Sequence, residues 1–312
     1  MELNKIYQGD VIATLKTWPD EFVQCVVTSP PYWGLRDYGV DGQLGLEKTP
    51  EEYVAKMAEV FREVRRVLKK DGVLFLNLGD SYGNPSAGRN DGNHRADGRP
   101  GGMSYKATGT AKFTGNTVKP KDLVGIPWMI AFALRSDGWY LRQDIIWAKP
   151  NPMPESVTDR CTKSHEYIFM MTKSARYFYD AAAIKEAGSE PPQVRPASRM
   201  GVKALDGLKN ASPNMDRILD GTRNKRSVWA VPTHPYAEAH FATFPEDLII
   251  PCIKAGSREG DVVLDPFMGA GTTGLVALKL GRKYIGTELN PAYIQIAEDR
   301  IRNGFGLFQK VS

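Results

Sequence analysis

The segment 28–33, with the sequence TSPPYW, most limits what this chain can fold into. The apolar run before it predicts a buried strand, and two consecutive prolines cannot extend a strand's hydrogen-bond ladder because they have no N–H. The chain must therefore leave the sheet as a rigid turn. That turn offers the Ser29 hydroxyl and the Pro30 carbonyl as acceptors, and Tyr32 with Trp33 as a flat face. These groups suit a nucleobase with an exocyclic amino group, and a packed strand end is the alternative interpretation.

A second segment, 262–274, has the sequence VVLDPFMGAGTTG, in which a short apolar strand enters a glycine turn and then a helix. The glycines match the G-x-G-x-x-G fingerprint of nucleotide-binding βαβ units, and Glu288 ends the next strand. Glycines let the backbone approach an adenosine-containing ligand, and a carboxylate in that position accepts hydrogen bonds from ribose hydroxyls. Asp265 would repel a pyrophosphate but suits the ammonium of a methionine moiety. The pattern favours S-adenosylmethionine over a nicotinamide dinucleotide.

Helical periodicity predicts helices over 51–68 and 123–134, and apolar runs predict strands over 73–78, 138–147 and 165–172. The last two strands are close enough in sequence to form an antiparallel pair. The elements therefore predict an α/β domain with a mainly parallel sheet.

The two motifs together resemble the exocyclic-amino DNA methyltransferases, which modify N4 of cytosine or N6 of adenine. TSPPYW precedes DPFxGxGTT in the chain, which is the order of the circularly permuted β-group of that family. The resemblance implies a Rossmann-like methyltransferase sheet, mainly parallel, with an antiparallel edge hairpin and a small insertion region. It also implies methyl transfer from S-adenosyl-L-methionine to a flipped base in double-stranded DNA, as in restriction–modification systems. A cognate restriction endonuclease and a homodimer are left open.

The resemblance assigns site residues by their positions in the motifs. The catalytic turn comprises Ser29, Pro30, Pro31 and Tyr32. The residues assigned to the cofactor are Asp10, His240, Phe244, Pro245, Asp265, Pro266, Phe267, Gly269, Gly271, Thr272, Thr273, Glu288 and Asn290. For Asp10, the N-cap of a helix is an alternative role, and for His240 an ordinary loop or helix-start position.

DNA contacts are expected from the turn, from a strand end and from two basic stretches, 84–121 and 188–228. The residues are Trp33, Lys149, Arg89, Arg95, Arg99, Arg195, Arg199 and Arg223. The first stretch is rich in Gly, Asn and Ser, which predicts a flap that closes on DNA or a passive flexible loop. The second occupies the place of the β-group target-recognition region. The predicted division is a catalytic half (1–187), this recognition region, and a cofactor-binding half (229–312) that completes the same sheet.

Composition narrows the class of protein. The net charge is only +5, so the placement of basic residues matters more than their total. The three cysteines have no spacing typical of a disulfide framework or a zinc site, and the proposed chemistry needs no metal. Cys25 lies inside a predicted strand, which disfavours C5-cytosine methylation because that reaction needs a cysteine nucleophile in a loop. With no apolar span and no signal peptide in the sequence, a cytoplasmic protein is expected.

Ser29 decides the predicted target base. The adenine enzymes mostly have Asp or Asn at this position, so N4 of cytosine is favoured and N6 of adenine is the alternative. A catalytically silent DNA-binding protein is disfavoured by the two intact motifs. An RNA or protein methyltransferase also remains open because fold does not fix substrate; the protein-glutamine enzymes would be expected to have Asn at position 29.

Overall fold

The computed structural model of the protein describes residues 1–35, 39–83, 118–188, 193–195, 217–233 and 244–309. The helices are α1 (Val11–Lys16), α2 (Pro50–Val67), α3 (Ile126–Ser136), α4 (Glu246–Gly256), α5 (Thr272–Lys279) and α6 (Pro291–Gln309). The strands are β1 (Lys5–Gln8), β2 (Val23–Thr28), β3 (Leu68–Leu78), β4 (Tyr140–Ala148), β5 (His165–Thr172), β6 (Glu186–Ala187), β7 (Gln193–Arg195), β8 (Arg217–Leu219), β9 (Thr222–Arg223), β10 (Val228–Ala230), β11 (Val262–Asp265) and β12 (Lys283–Glu288).

Eight strands form one sheet in the order β1-β12-β11-β2-β3-β5-β4-β10. Every neighbouring pair is parallel except those that include β5, which runs antiparallel to both β3 and β4. The predicted α/β class, with its mainly parallel sheet and antiparallel hairpin, is confirmed. The hairpin is one strand in from the edge, because β10 pairs with β4 on its outer side. A strand of three residues is too short for periodicity to predict.

Local sequence explains how α2 begins and ends. The Thr49 hydroxyl accepts from the Glu52 backbone N–H at 3.2 Å, and Pro50 occupies the first turn, where its missing N–H costs nothing. The apolar stripe of α2 is buried as predicted. The backbone becomes extended at Leu68, which pairs with Val23 of β2. Strand β3 therefore begins directly after the helix and is longer than predicted.

The helices form two groups, one on each face of the sheet. Helices α1, α2 and α3 pack on one another, as do α4, α5 and α6. Val26 in β2 belongs to the core formed with the first group, whereas its neighbour Cys25 faces Gly256 of α4. Successive strand residues point to opposite faces, so the sheet is the middle of three layers. None of the described helices is long and apolar enough to cross a membrane.

Residues 180–226 form a compact unit of their own, separate from the unit made by 1–179 and 227–312. In the smaller unit, β6 pairs with β9 and β7 pairs with β8, both antiparallel. Glu186 forms ion pairs with Arg223 at 2.8 Å and with Arg226 at 2.6 Å. Asp220 closes the turn before β9, and its hydrogen bonds to Lys185 and Thr222 hold the pKa of its carboxyl below the usual range.

Candidate functional site

A cavity of about 760 Å³ opens where the strands of the main sheet end. Asp10, Ser29, Asp265 and Glu288 line it, and each lies at or just beyond the carboxyl end of a parallel strand, β1, β2, β11 and β12 respectively. In open α/β sheets this edge is where ligands bind. The structure thus brings both sequence motifs, 237 positions apart at Thr28 and Asp265, to one cavity.

The glycine turn after β11 has the backbone geometry that its sequence predicts. Gly269 and Gly271 have φ values of 51° and 77°, in the left-handed region that favours glycine. A Cβ atom on Gly271 would lie 2.9 Å from the Cβ of Ala297, so this position has no room for a side chain. The turn leads into the first turn of α5, where Thr272 and Thr273 are buried.

The Asp265 carboxylate holds this turn in place through hydrogen bonds. It is 1% exposed and accepts hydrogen bonds from the hydroxyls of Thr28 (2.6 Å) and Thr273 (2.7 Å). The Phe267 backbone N–H donates to it at 3.0 Å. Burial raises the pKa of Asp265 to about 7 despite these donors, because desolvation disfavours the charged form. A cation placed beside it would offset that cost.

Glu288 fixes the other side of the turn. Its two carboxylate oxygens accept from the backbone N–H groups of Gly269 and Asn290, both at 2.9 Å. The Asn290 side chain in turn accepts from the Ala292 N–H at the start of α6. Burial raises the pKa of Glu288 as well. Two carboxylates with raised pKa values therefore face one cavity, which suits a ligand with a positive charge and hydroxyl donors.

Protonation of Asp265 gives a pH prediction for the cofactor expected from sequence, S-adenosylmethionine. The charged carboxylate attracts an ammonium group and the neutral acid does not, so affinity should rise as pH rises through about 7 and fall roughly tenfold per pH unit below it. Calorimetric titration from pH 5.5 to 7.5 measures this slope. Asp265→Asn should flatten it. A slope unchanged by Asp265→Asn would contradict the assignment.

The residues assigned to the cofactor differ in their positions. Besides Asp265 and Glu288, those that line the cavity are Phe244, Pro266, Phe267, Gly269, Thr272 and Asn290, and Gly271 and Thr273 are not among its lining residues. Pro245 precedes α4 as its N-cap, and His240 lies outside the described residues. Asp10 has both roles that the sequence left open: it lines the cavity, and its carboxylate caps α1 by accepting from the Ala13 N–H at 2.8 Å.

The proline turn presents one free carbonyl. The Pro31 carbonyl accepts from the Tyr53 hydroxyl at 2.6 Å, which ties the turn to α2. For the Pro30 carbonyl, no donor is found within the described part of the chain, and both Pro30 and Ser29 line the cavity. The Ser29 hydroxyl lies 3.4 Å from the Tyr32 hydroxyl. Ser29 and Pro30 therefore keep acceptor capacity for a ligand, as the sequence predicts.

Tyr32 is held by two residues that sequence reasoning missed, Asn77 and Glu166. Its hydroxyl donates to Glu166 at 2.7 Å and lies 3.2 Å from the Asn77 carbonyl oxygen. Its ring packs over Gly79, where a Cβ atom would come within 2.5 Å of the ring. Burial and the Glu166 charge raise the pKa of Tyr32 well above its usual value, so the hydroxyl stays a donor. Glu166 lies near the start of β5, and only the antiparallel pairing of that strand brings it to the cavity.

Lys149 lies at the same end of the cavity. It follows β4, and its ammonium group contacts the second Glu166 oxygen. The ammonium also lies 4.3 Å from the centre of the Trp147 ring. The structure thus places Lys149 in the same cavity as the catalytic turn, and its expected contact with DNA stays a prediction.

Trp33 corrects one prediction. Its side chain is 2% exposed and belongs to the main core, and its indole N–H donates to the Glu47 carbonyl at 2.9 Å. It does not offer a face to DNA, so the assignment of Trp33 as a DNA contact is wrong. Cys25 is also fully buried, and burial raises the pKa of its thiol, which is unfavourable for a nucleophile.

Most basic residues expected to contact DNA lie outside the described residues, namely Arg89, Arg95, Arg99 and Arg199. Arg195 belongs to β7. Arg223 is in β9 and forms the ion pair with Glu186 described above. Their contacts with DNA stay predictions.

Comparison with known sequences gives consistent matches. Residues 23–299 match the profile of the DNA methylase family of N6 and N4 methyltransferases. Type II methyltransferase M.Cfr9I of Citrobacter freundii is 45% identical over 97% of this chain and 89% of that protein. Type II methyltransferase M.SmaI of Serratia marcescens is 46% identical over 95% of this chain and 90% of that protein.

Solved structures match the fold along nearly the whole chain. The putative DNA modification methylase TTHA0409 of Thermus thermophilus, crystallised with S-adenosyl-L-methionine, superposes with a TM-score of 0.60 at 25% identity and covers 96% of this chain and 93% of that one. The cytosine-N4-specific PvuII DNA methyltransferase superposes with a TM-score of 0.61 at 19% identity, covering 97% and 91%. At that identity the second match shows the fold alone.

Proposed function

Because the chain belongs to the DNA methylase family, we propose that it transfers a methyl group from S-adenosylmethionine to N4 of a flipped cytosine at a specific site in double-stranded DNA. One observation supports this most: the acceptors of the Ser29–Pro30 turn, the buried Asp265 carboxylate and the half-buried Glu288 carboxylate line the same cavity. A base and a positively charged cofactor would meet there without any rearrangement of the sheet.

The cofactor half of the cavity fits S-adenosylmethionine. Gly269 lines the cavity with its backbone, Glu288 offers its carboxylate to ribose hydroxyls, and the desolvated Asp265 gains from a nearby ammonium. The cofactor supplies an electrophilic methyl group. The chain's own residues bind the two reactants, orient them and exclude water from them.

The catalytic turn acts on the amino group of the base. That nitrogen is a poor nucleophile because its lone pair is delocalised into the ring. Ser29 and the free Pro30 carbonyl would accept its two hydrogens and favour a pyramidal nitrogen, whose lone pair can then point at the methyl group. Positioning of the two reactants supplies much of the rate. Because the target atom lies inside the duplex, the base must be flipped out first.

Ser29 supports cytosine as the target. It is neutral, and its hydroxyl can donate toward Tyr32 while its lone pairs accept from an amino group. In the sequence analysis, Ser at position 29 favours methylation of N4 of cytosine, and methylation of N6 of adenine is the alternative. Sequencing of host DNA after expression, with detection of modified bases, decides both the base and the site. Detection of N6-methyladenine without N4-methylcytosine would overturn the base assignment, and absence of any modified base would overturn the activity.

Tyr32 should act by stacking on the flipped base, as its ring lines the cavity. Tyr32→Ala is expected to cost roughly 1–3 kcal/mol in capturing the base, and less when the target is mispaired and easier to extrude. Tyr32→Phe keeps the ring and removes the hydrogen bond to Glu166, so it serves as the matched control. Single-turnover methylation of matched and mismatched duplexes is the measurement. An equal deficit of Tyr32→Ala on both duplexes would refute the stacking role.

We further propose that the two basic stretches divide DNA binding between them. Arg89, Arg95 and Arg99 would contact phosphates, which adds affinity but no sequence information. The unit formed by 180–226 would contain the target-recognition residues, with the antiparallel strands β6–β9 as its support. A cytoplasmic location is part of this proposal, and a partner endonuclease and a homodimer stay open, as in the sequence analysis.

A further inference from the structure

Lys149 is a charged donor in the cavity that the mechanism above does not use. Its side chain is 20% exposed, and its ammonium lies between the Trp147 ring and the Glu166 carboxylate. A lysine ammonium has three N–H donors. Within the described residues, the structure gives the ammonium one hydrogen-bond partner, Glu166. Donor capacity therefore remains on a group that lines the cavity.

Glu166 keeps this lysine in place. One of its oxygens binds Lys149, and the other accepts from the Tyr32 hydroxyl at 2.7 Å and from the Asn77 amide at 3.2 Å. The Asn77 amide also donates to the Tyr167 carbonyl at 3.1 Å, which anchors the cluster to β5. A free lysine is a flexible, strongly hydrated charge, whereas this one is held at a fixed position.

The polar contacts of the cluster run in the order Ser29, Tyr32, Glu166 and Lys149, from an acceptor to a charged donor. Ser29 lies 3.4 Å from the Tyr32 hydroxyl, Tyr32 donates to one Glu166 oxygen, and Lys149 contacts the other. The pairing edge of cytosine has a matching order: the amino donor at N4, then two acceptors, N3 and O2. Adenine has the amino group and one ring acceptor, followed by a C–H. Enzymes that flip bases recognise them by hydrogen bonds to this edge.

We propose that Lys149 donates to the N3–O2 edge of the flipped cytosine, with Glu166 as the residue that positions it. The inference rests on the proposed function and assigns the contact that would select cytosine in that site. Adenine has a ring acceptor where cytosine has N3, but a C–H where cytosine has O2, so the part of the contact that reaches O2 would disfavour adenine by leaving a donor without its acceptor.

The test compares the unaltered protein with Lys149→Met on duplexes containing cytosine, 3-deazacytosine or 2-thiocytosine at the target. The analogues keep the amino group but lack N3 or have a weaker acceptor at position 2. Lys149→Met should lower kcat/KM on cytosine about 10–100-fold without changing cofactor affinity. The ratio of kcat/KM on cytosine to kcat/KM on at least one analogue should also be smaller in Lys149→Met than in the unaltered protein, by about fivefold or more. Glu166→Gln should shift discrimination in the same direction, and Glu166→Asp should restore part of it.

Lys279→Met is the matched control, since Lys279 forms a similar half-buried ion pair with Glu246 at 2.7 Å and does not line the cavity. If Lys149→Met discriminates among the three targets as the unaltered protein does, Lys149 does not contact that edge and the inference is wrong. Affinity for a duplex with an unpaired target base, measured for each analogue, gives the same comparison for a variant too slow to assay. The unaltered protein's methylation of cytosine tests the proposed function separately: activity on adenine alone overturns the cytosine assignment itself.

Discussion

Ser29→Ala is expected to slow methyl transfer by roughly 10–1000-fold, because it removes an acceptor that acts on the amino group as its nitrogen becomes pyramidal. The Ser29 hydroxyl lines the cavity, and the only contact the structure gives to it within the described residues is the long one to Tyr32 at 3.4 Å. Its loss should therefore leave the turn intact. Single-turnover methylation at saturating cofactor and DNA measures the step directly.

Cofactor affinity and the thermal unfolding midpoint should be nearly unchanged in Ser29→Ala. Tyr53→Phe makes a useful contrast, because it frees the Pro31 carbonyl and loosens the turn without touching the acceptors themselves. It should lower both the rate and the unfolding midpoint. A Ser29→Ala protein that transfers methyl groups at the rate of the unaltered protein would show that the serine is not a catalytic acceptor.

The parts of the site that the sequence predicted are those encoded by local chemistry. A strand that ends in Pro-Pro must become a turn, and a strand that enters Gly-x-Gly must expose its backbone. Both motifs lie at carboxyl ends of parallel strands, so their meeting at one edge follows from the fold class. Asp265 and Glu288 were predicted for the same reason, since each terminates a strand.

Glu166 could not be predicted in this way. It is the second residue of an ordinary apolar strand, and its place in the cavity depends on β5 running antiparallel between β3 and β4. The pairing of β5 with β4 was expected from the sequence, but its pairing with β3 joins segments distant in sequence, with Asn77 89 positions from Glu166. The DNA contact predicted for Trp33 was wrong for a related reason: its position next to Tyr32 in the sequence does not show which of the two turn residues faces the core. The strand β10 has three residues and is too short for hydrophobic periodicity to predict it.

Asp265 shows how a correct residue can have a larger role than its motif suggests. The sequence predicted a carboxylate facing the cofactor. The structure adds that the carboxylate joins β2 to β11 and α5 through the Thr28 and Thr273 hydroxyls. Two buried polar contacts therefore connect the catalytic and cofactor halves, Thr28 with Asp265 and the Thr273 hydroxyl with the Val27 carbonyl, and substitutions at Thr28 should affect both halves.

Glu288→Ala is expected to weaken binding of S-adenosylmethionine by roughly 10–100-fold. It removes the carboxylate proposed to accept the ribose hydroxyls, and charge-assisted hydrogen bonds are each worth roughly 1.5–3 kcal/mol. It also leaves the Gly269 and Asn290 N–H groups without their acceptor, which loosens the glycine turn. Glu288→Gln retains an oxygen for one of these N–H groups, so its loss of affinity should be smaller. Calorimetric titration gives the affinities, and thermal unfolding reports whether the turn has loosened.

Two comparisons separate ribose recognition from a general effect on the fold. S-adenosylhomocysteine has the same ribose and no transferable methyl group, so Glu288→Ala should weaken both ligands by the same factor. Glu298→Ala removes an exposed carboxylate on α6 and should change neither affinity. If Glu288→Ala binds both ligands as the unaltered protein does while remaining folded, the ribose does not lie at the end of β12. The cofactor would then have to be held differently, and the proposal that its methyl group meets the base at Ser29 would lose its support.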